Sequence, residues 1–152
     1  MNLCCSYMEE LIEKARHIEV QCAGDGTGRV VTLGERECSL QRKQQKIIEI
    51  TPSPSLSPHM REQLQGNILY SHAFLLNLTL TPTTSAAAIS LMAADPPLSS
   101  LCTVEFLVRG NDFWFIEANP RLQVEHTVTE AVFDLDLVAL QVGHVTHARR
   151  SA

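Results

Sequence analysis

The sequence predicts an α+β domain, an antiparallel sheet with flanking helices, and three observations predict it. Residues 16–22 alternate and read as a strand, and beyond Asp25-Gly26-Thr27-Gly28, a hairpin turn signal, Val30 to Leu33 returns as the partner strand. Residues 103–109 and 113–118 read as two strands around a turn at Gly110-Asn111-Asp112. From Thr129 to about Val142, Val132, Leu135 and Leu140 suggest a helix packed on that sheet. With 152 residues, 45% hydrophobic and 19% charged, the chain suits one globular domain.

The elements follow in order. The glycine-containing turn at 25–28 lacks the GxxxxGK[ST] pattern and does not open a helix, so it reads as a turn and not a phosphate loop. Thr51-Pro52-Ser53-Pro54-Ser55, with Pro58 beyond, is interrupted by three prolines and excludes a central strand or helix interior. Ser57 or Pro58 can open a helix through residues 59–65. Residues 66–86 carry no charged side chain and no clean period, and residues 87–94 are again helix-compatible. So apolar a loop would be costly to expose. The 66–86 stretch is therefore expected to be an insert or a translated intron, with a genuine surface loop as the alternative. The sequence holds no internal repeat.

Charge and cysteine content narrow the function class. A net charge of −5 and the absence of a basic stripe argue against an electrostatic grip on nucleic acid or an anionic membrane. Five cysteines (Cys4, Cys5, Cys22, Cys38 and Cys102) are odd in number, irregular in spacing and form no CxxC. They read as small buried thiols in a reducing compartment, not as a disulfide framework or zinc site. No run reaches transmembrane length. The start is neither a signal peptide nor an Arg-rich transit peptide.

The chemistry concentrates in Phe115-Ile116-Glu117-Ala118-Asn119-Pro120-Arg121-Leu122-Gln123-Val124-Glu125-His126. A strand alternates its side chains between two faces. If the chain stays extended, Glu117, Asn119, Arg121, Gln123 and Glu125 share one face opposite Ile116, Ala118, Leu122 and Val124. Five hydrogen-bonding groups in a row look like the floor of a polar site. Two further blocks are Arg16-His17-Ile18-Glu19-Val20-Gln21 and Gly34-Glu35-Arg36-Glu37-Cys38-Ser39-Leu40-Gln41-Arg42, the latter followed by Gln45-Lys46-Ile47-Ile48-Glu49. Together these resemble the ATP-grasp domain of the biotin carboxylase group, over residues 8–65 and 87–142. The match implies the C-terminal half of an ATP-grasp domain over residues 1–142, interrupted at about 66–86, with a tail at 143–152.

The resemblance implies ATP and Mg²⁺ (or Mn²⁺) as ligands, bicarbonate as substrate, and biotin on a separate carrier domain. Divalent cations that bridge phosphates need hard oxygen ligands, and by resemblance these are Glu105, Glu117 and Asn119. Arg121, Gln123, the backbone of Val124 and Glu125 resemble the bicarbonate site, with Glu125 as the base that deprotonates bicarbonate. Arg121 supplies a guanidinium fork matched to a planar anion. His17, Gln41, Gln44 and Lys46 resemble nucleotide-site residues, and Lys46 would neutralise phosphate or bicarbonate charge. Glu9, Glu10 and Ile12 resemble the hinge that reads adenine, and Leu107 would pack beneath the base.

The sequence departs from the family pattern in three places. Gln44 stands where the family commonly has His or Asn; Cys102 and Asp134 stand where it has Gly. The resemblance lacks the preceding domain with its glycine-rich lid, the following domain and a biotin-accepting lysine motif. The chain alone is therefore expected to bind Mg²⁺-ATP weakly without turnover. Thr127 after His126 leans towards pyruvate carboxylases and long fused carboxylases. Other readings are a non-catalytic partner of an intact carboxylase, with homo- or hetero-oligomers, and a carbamoyl-phosphate synthetase-type piece. The compartment is expected to be cytoplasmic or mitochondrial.

Overall fold

The computed structural model describes residues 10–43, 45–65 and 97–150. Five antiparallel strands form one sheet in the order β3-β2-β1-β4-β5: β1 Arg16–Asp25, β2 Val30–Arg42, β3 Gln45–Ile50, β4 Ser99–Arg109 and β5 Asp112–Asn119. Three described helices complete it: α1 Pro58–Gln65, α2 His126–Phe133 and α3 Leu137–Arg150. Both expected hairpins are present, β1–β2 and β4–β5. The strand Gln45–Ile50 goes beyond the sequence reading, which used 45–49 only as part of a motif. The expected helix at 87–94 and the stretch 66–86 lie outside the described residues. Among the described residues no helix is long and apolar enough to cross a membrane.

The sheet has two different faces because β1 alternates. Ile18, Val20 and Cys22 join Val104, Phe106 and Val108 under α1, whose Met60 and Leu64 close that core. Ser57 starts α1 as expected: its Oγ accepts from the Met60 amide at 3.1 Å, with Pro58 at the first helical position where a missing N–H costs nothing. His17, Glu19, Gln21 and Ala23 take the opposite face. There Ala23, Val31, Leu33 and Leu101 pack on Leu137 of α3.

Which face the β2 side chains take depends on Gly34. Val20 pairs with Glu35 while Cys22 pairs with Thr32, so β2 spends one extra residue there, a β-bulge. Gly34 sits at φ +79°, and a Cβ on it would come within 2.7 Å of the Phe133 ring of α2. Positive φ and close approach both call for glycine. The extra residue reverses the alternation. Val31 and Leu33 face α3, and after the bulge Arg36 returns to that same face opposite Glu19.

Two expectations change. The helix expected over 129–142 is two helices, broken at Asp134, which adopts φ 52° and ψ 49° and ends α2 through its amide bond to Glu130 O. Asp136 then starts α3, its carboxylate accepting from the Ala139 amide at 2.7 Å. Residues 143–150, expected as a tail, continue α3. A left-handed C-cap favours glycine over a residue with a Cβ. Asp134→Gly is therefore expected to stabilise the chain by about 0.5–1 kcal/mol. Urea midpoints of the two chains check this, and a lower midpoint for the glycine variant would contradict it.

Candidate functional site

β5 ends at Asn119 because Pro120 has no N–H to donate to a ladder. The run from Glu117 to Glu125 is thus not one extended strand, and its five polar residues do not share a face by simple alternation. The Arg121 amide instead bonds Asn119 O at 2.8 Å, and His126 N bonds Gln123 O at 3.2 Å. These turns fold the run back over the sheet. One open cavity of about 380 Å³ gathers the result: Arg121, Gln123, Val124 and Glu125 from the turns, Glu105 and Glu117 from β4 and β5, and His17, Gln41 and Lys46 from β1–β3.

Glu105 and Glu117 are register partners across the β4–β5 hairpin. Asn119 Nδ2 donates to both carboxylates, at 2.9 Å to Glu105 and 3.0 Å to Glu117. Gln123 Nε2 donates to Glu105 at 3.1 Å, while its Oε1 is buried without a hydrogen-bond partner. Gln41 Nε2 donates to Cys38 O at 2.9 Å and to His17 Nδ1 at 2.7 Å. That leaves the proton on His17 Nε2, which donates to Glu105 at 2.6 Å. Burial alone would raise the pKa of Glu105. The hydrogen bonds from His17 and Gln123 and the charge of Lys46 outweigh it and hold the carboxyl at about 2.

Lys46 is the cationic centre of the site. Its ammonium contacts Glu19, lies 2.9 Å from Glu125 and stands 4.0 Å from Glu105. Burial would favour the neutral amine, but hydrogen bonds to Glu19 and Glu125 hold it charged, well above the usual lysine range. Glu125 shifts the other way. Burial opposes its charge, and the Lys46 hydrogen bond, with the charges of Lys46 and Arg36, pulls its pKa down. Glu125 is also the N-cap of α2, yet its side chain makes no capping bond. Its carboxylate serves Lys46 instead.

Other expected residues sit at the margin. Leu107 is the register partner of His17 and is half-buried beside it. Glu10 is exposed and Ile12 half-buried in the segment before β1, and neither lines the cavity. Glu9 and Gln44 lie outside the described residues. Two groups at the centre have no role in the sequence reading: Glu19, which pairs with Lys46, and Arg36, which pairs with Glu19. For Glu19 a signal existed, because it stands two residues from His17 on an alternating strand. For Arg36 the bulge at Gly34 hides the face. His17, Glu19 and Glu105 each offer a ligand atom within 4.8 Å of the others, but Lys46 already supplies a positive charge to that triple.

A family model, the carbamoyl-phosphate synthase L chain ATP binding domain, matches residues 4–73 and 82–147. The chain belongs to this family. Pyruvate carboxylase of Bacillus subtilis (strain 168) is 44% identical over 148 residues, which are 95% of this chain and 11% of that protein. Among solved structures, the biotin carboxylase domain of a single-chain bacterial carboxylase superposes with a TM-score of 0.72 at 43% identity, over 93% of this chain and 28% of that one. A biotin carboxylase–β-γ-ATP complex from Campylobacter jejuni gives a TM-score of 0.61 at 38% identity, over 86% of this chain and 25% of that one. The fold is thus that of the ATP-grasp biotin carboxylases. The chain spans about a tenth of the length of the pyruvate carboxylase and about a quarter of the biotin carboxylase structures.

Proposed function

We propose that this chain forms the metal-, phosphate- and bicarbonate-facing part of a biotin carboxylase site. In that reaction bicarbonate is phosphorylated by ATP to carboxyphosphate, and biotin on a carrier domain is then carboxylated. The observation that carries the reading is a single cavity lined by Glu105 and Glu117 from neighbouring strands together with Lys46, Arg121, Gln123 and Glu125. The likeness to a biotin carboxylase solved with an ATP compound supports it.

The donor set fits a hard divalent cation. Two carboxylates and an amide, Glu105, Glu117 and Asn119, converge closely enough for the amide to bridge both acids. Mg²⁺ or Mn²⁺ held there would offset phosphate charge. Lys46 and Arg121 are the cationic groups for an anion in the cavity, and the unpartnered Gln123 Oε1 is an acceptor for a hydroxyl such as that of bicarbonate. Glu125, held ionised, is the base. It takes the bicarbonate proton, the bicarbonate oxygen attacks the γ-phosphorus, and ADP leaves. Lys46, 2.9 Å from Glu125, stabilises the charge that is handed over.

The test is calorimetric titration of ATP onto the 152-residue chain, with and without Mg²⁺. Mg²⁺-dependent binding is expected, and Glu117→Gln should weaken it by about tenfold, the size of one lost charged contact. Binding that ignores Mg²⁺ and Glu117, or no binding, would overturn the reading.

A further inference from the structure

The cavity is lined by groups that a buried side chain behind it controls. Arg36 is fully buried, and all five of its N–H donors are used. Nε and Nη2 reach Glu19 Oε2 at 3.4 and 3.2 Å. Nη1 reaches Gln21 Oε1 and Thr129 Oγ1, both at 2.9 Å. The second Nη2 donor reaches Thr103 Oγ1 at 3.2 Å. A guanidinium with every donor committed in a planar fork has one position available to it. It touches β1, β4 and α2 at once.

Two of those contacts lead to the same place. Glu19 is divided: Oε2 goes to Arg36 and Oε1 to Lys46. Thr129 lies one helical turn after Glu125, so tethering Thr129 fixes the end of α2 that carries Glu125. We infer that Arg36 is a positioning residue that holds the Lys46–Glu125 contact from both sides. It occupies one oxygen of Glu19, so the ammonium is not drawn wholly onto that carboxylate, and it anchors the helix that presents Glu125. Without the Glu19 limb, Lys46 settles on both Glu19 oxygens. Without the Thr129 limb, Glu125 moves off Lys46. Either loss separates the pair that the proposed function uses to handle the anion, and the significance of the device rests on that reading. The geometry itself does not.

Lysine ammonium NMR tests it in the ligand-free chain. The sequence has three lysines, Lys14, Lys43 and Lys46. Lys14 and Lys43 are exposed, whereas Lys46 is mostly covered and ion-paired, so its ammonium protons are the ones shielded from exchange. In the native background Glu125→Gln should displace the Lys46 resonance, because a direct contact is lost. In Thr129→Val and Arg36→Gln backgrounds the same change should displace it by only a small fraction of that amount, since the pair is already apart.

The fully buried thiols of Cys22 and Cys102 report fold integrity through their resistance to a thiol reagent. If Arg36→Gln opens them, Thr129→Val, which keeps every charge, decides alone. Equal displacement in all backgrounds would overturn the inference. So would thiols that open in both variants, since the role would then be purely structural. No nucleotide is present, so failure of the functional reading shows separately, in the ATP titration.

Discussion

Arg36→Met is expected to lower the unfolding free energy by about 3–5 kcal/mol, read as a fall in the urea midpoint. The side chain is fully buried and satisfies Glu19, Gln21, Thr103 and Thr129. Methionine matches its volume but leaves Glu19, also fully buried, with Lys46 as its remaining ion-pair partner. A buried charge that loses one of two partners costs far more than the pair gained. Domains of this size are stable by about 5–15 kcal/mol, so the variant should sit near the edge of folding. An unchanged midpoint would mean that Glu19 finds new partners without cost, and the buried network would lose its assigned importance.

The second large effect is acid lability. Glu105 has a folded pKa of about 2, against about 4.3 in an unfolded chain. Between these values the unfolded state binds more protons, so stability falls as pH drops. The contribution is complete above about pH 4.3 and gone below about pH 2, and integrates to roughly 3 kcal/mol. Glu37 and Glu125 are also held below their usual values, against their own burial, by Ser53 and Ser55 and by Lys46 respectively, and they steepen the same slope. Urea midpoints at a series of pH values from 5 to about 2.5 measure it. Glu105→Gln should flatten the profile; a profile of the same steepness would place the proton uptake elsewhere.

The parts of this site that the sequence discloses are those whose geometry is local. Glu105 and Glu117 could be placed on facing strands in advance, because a short turn at 110–112 makes their strands a hairpin, although it is a one-residue register shift after the Phe106–Phe115 pair that sets the two acids opposite each other. The position of Lys46 near the acids could not be derived from spacing, since it depends on how β3 returns along β2. Residues 121–125 reach the cavity by turns after Pro120, not by the alternation that first drew attention to them. Arg36 was hidden for a definable reason: a pattern of period two misassigns every residue beyond a bulge, and the bulge is marked only by one glycine. Asp134 shows the converse. A residue noted as standing where relatives have glycine turned out to occupy a left-handed cap that splits the expected helix.

The strand order has a consequence in time as well as in space. β1–β2 and β4–β5 are local hairpins, whereas the β1–β4 seam joins Arg16 to Val108 and Asp25 to Ser99. His17 and Glu19 belong to the first hairpin, to which β3 adds Lys46 along β2, and Glu105, Glu117 and Asn119 belong to the second. Local contacts form before loop closure over a long stretch is rewarded. Each hairpin can therefore be native while the cavity does not yet exist. Binding competence should arise only with the final, slow event of folding. Pulse-labelled hydrogen exchange should find the β1–β2 and β4–β5 amides protected earlier than those of the seam, and simultaneous protection would refute that order.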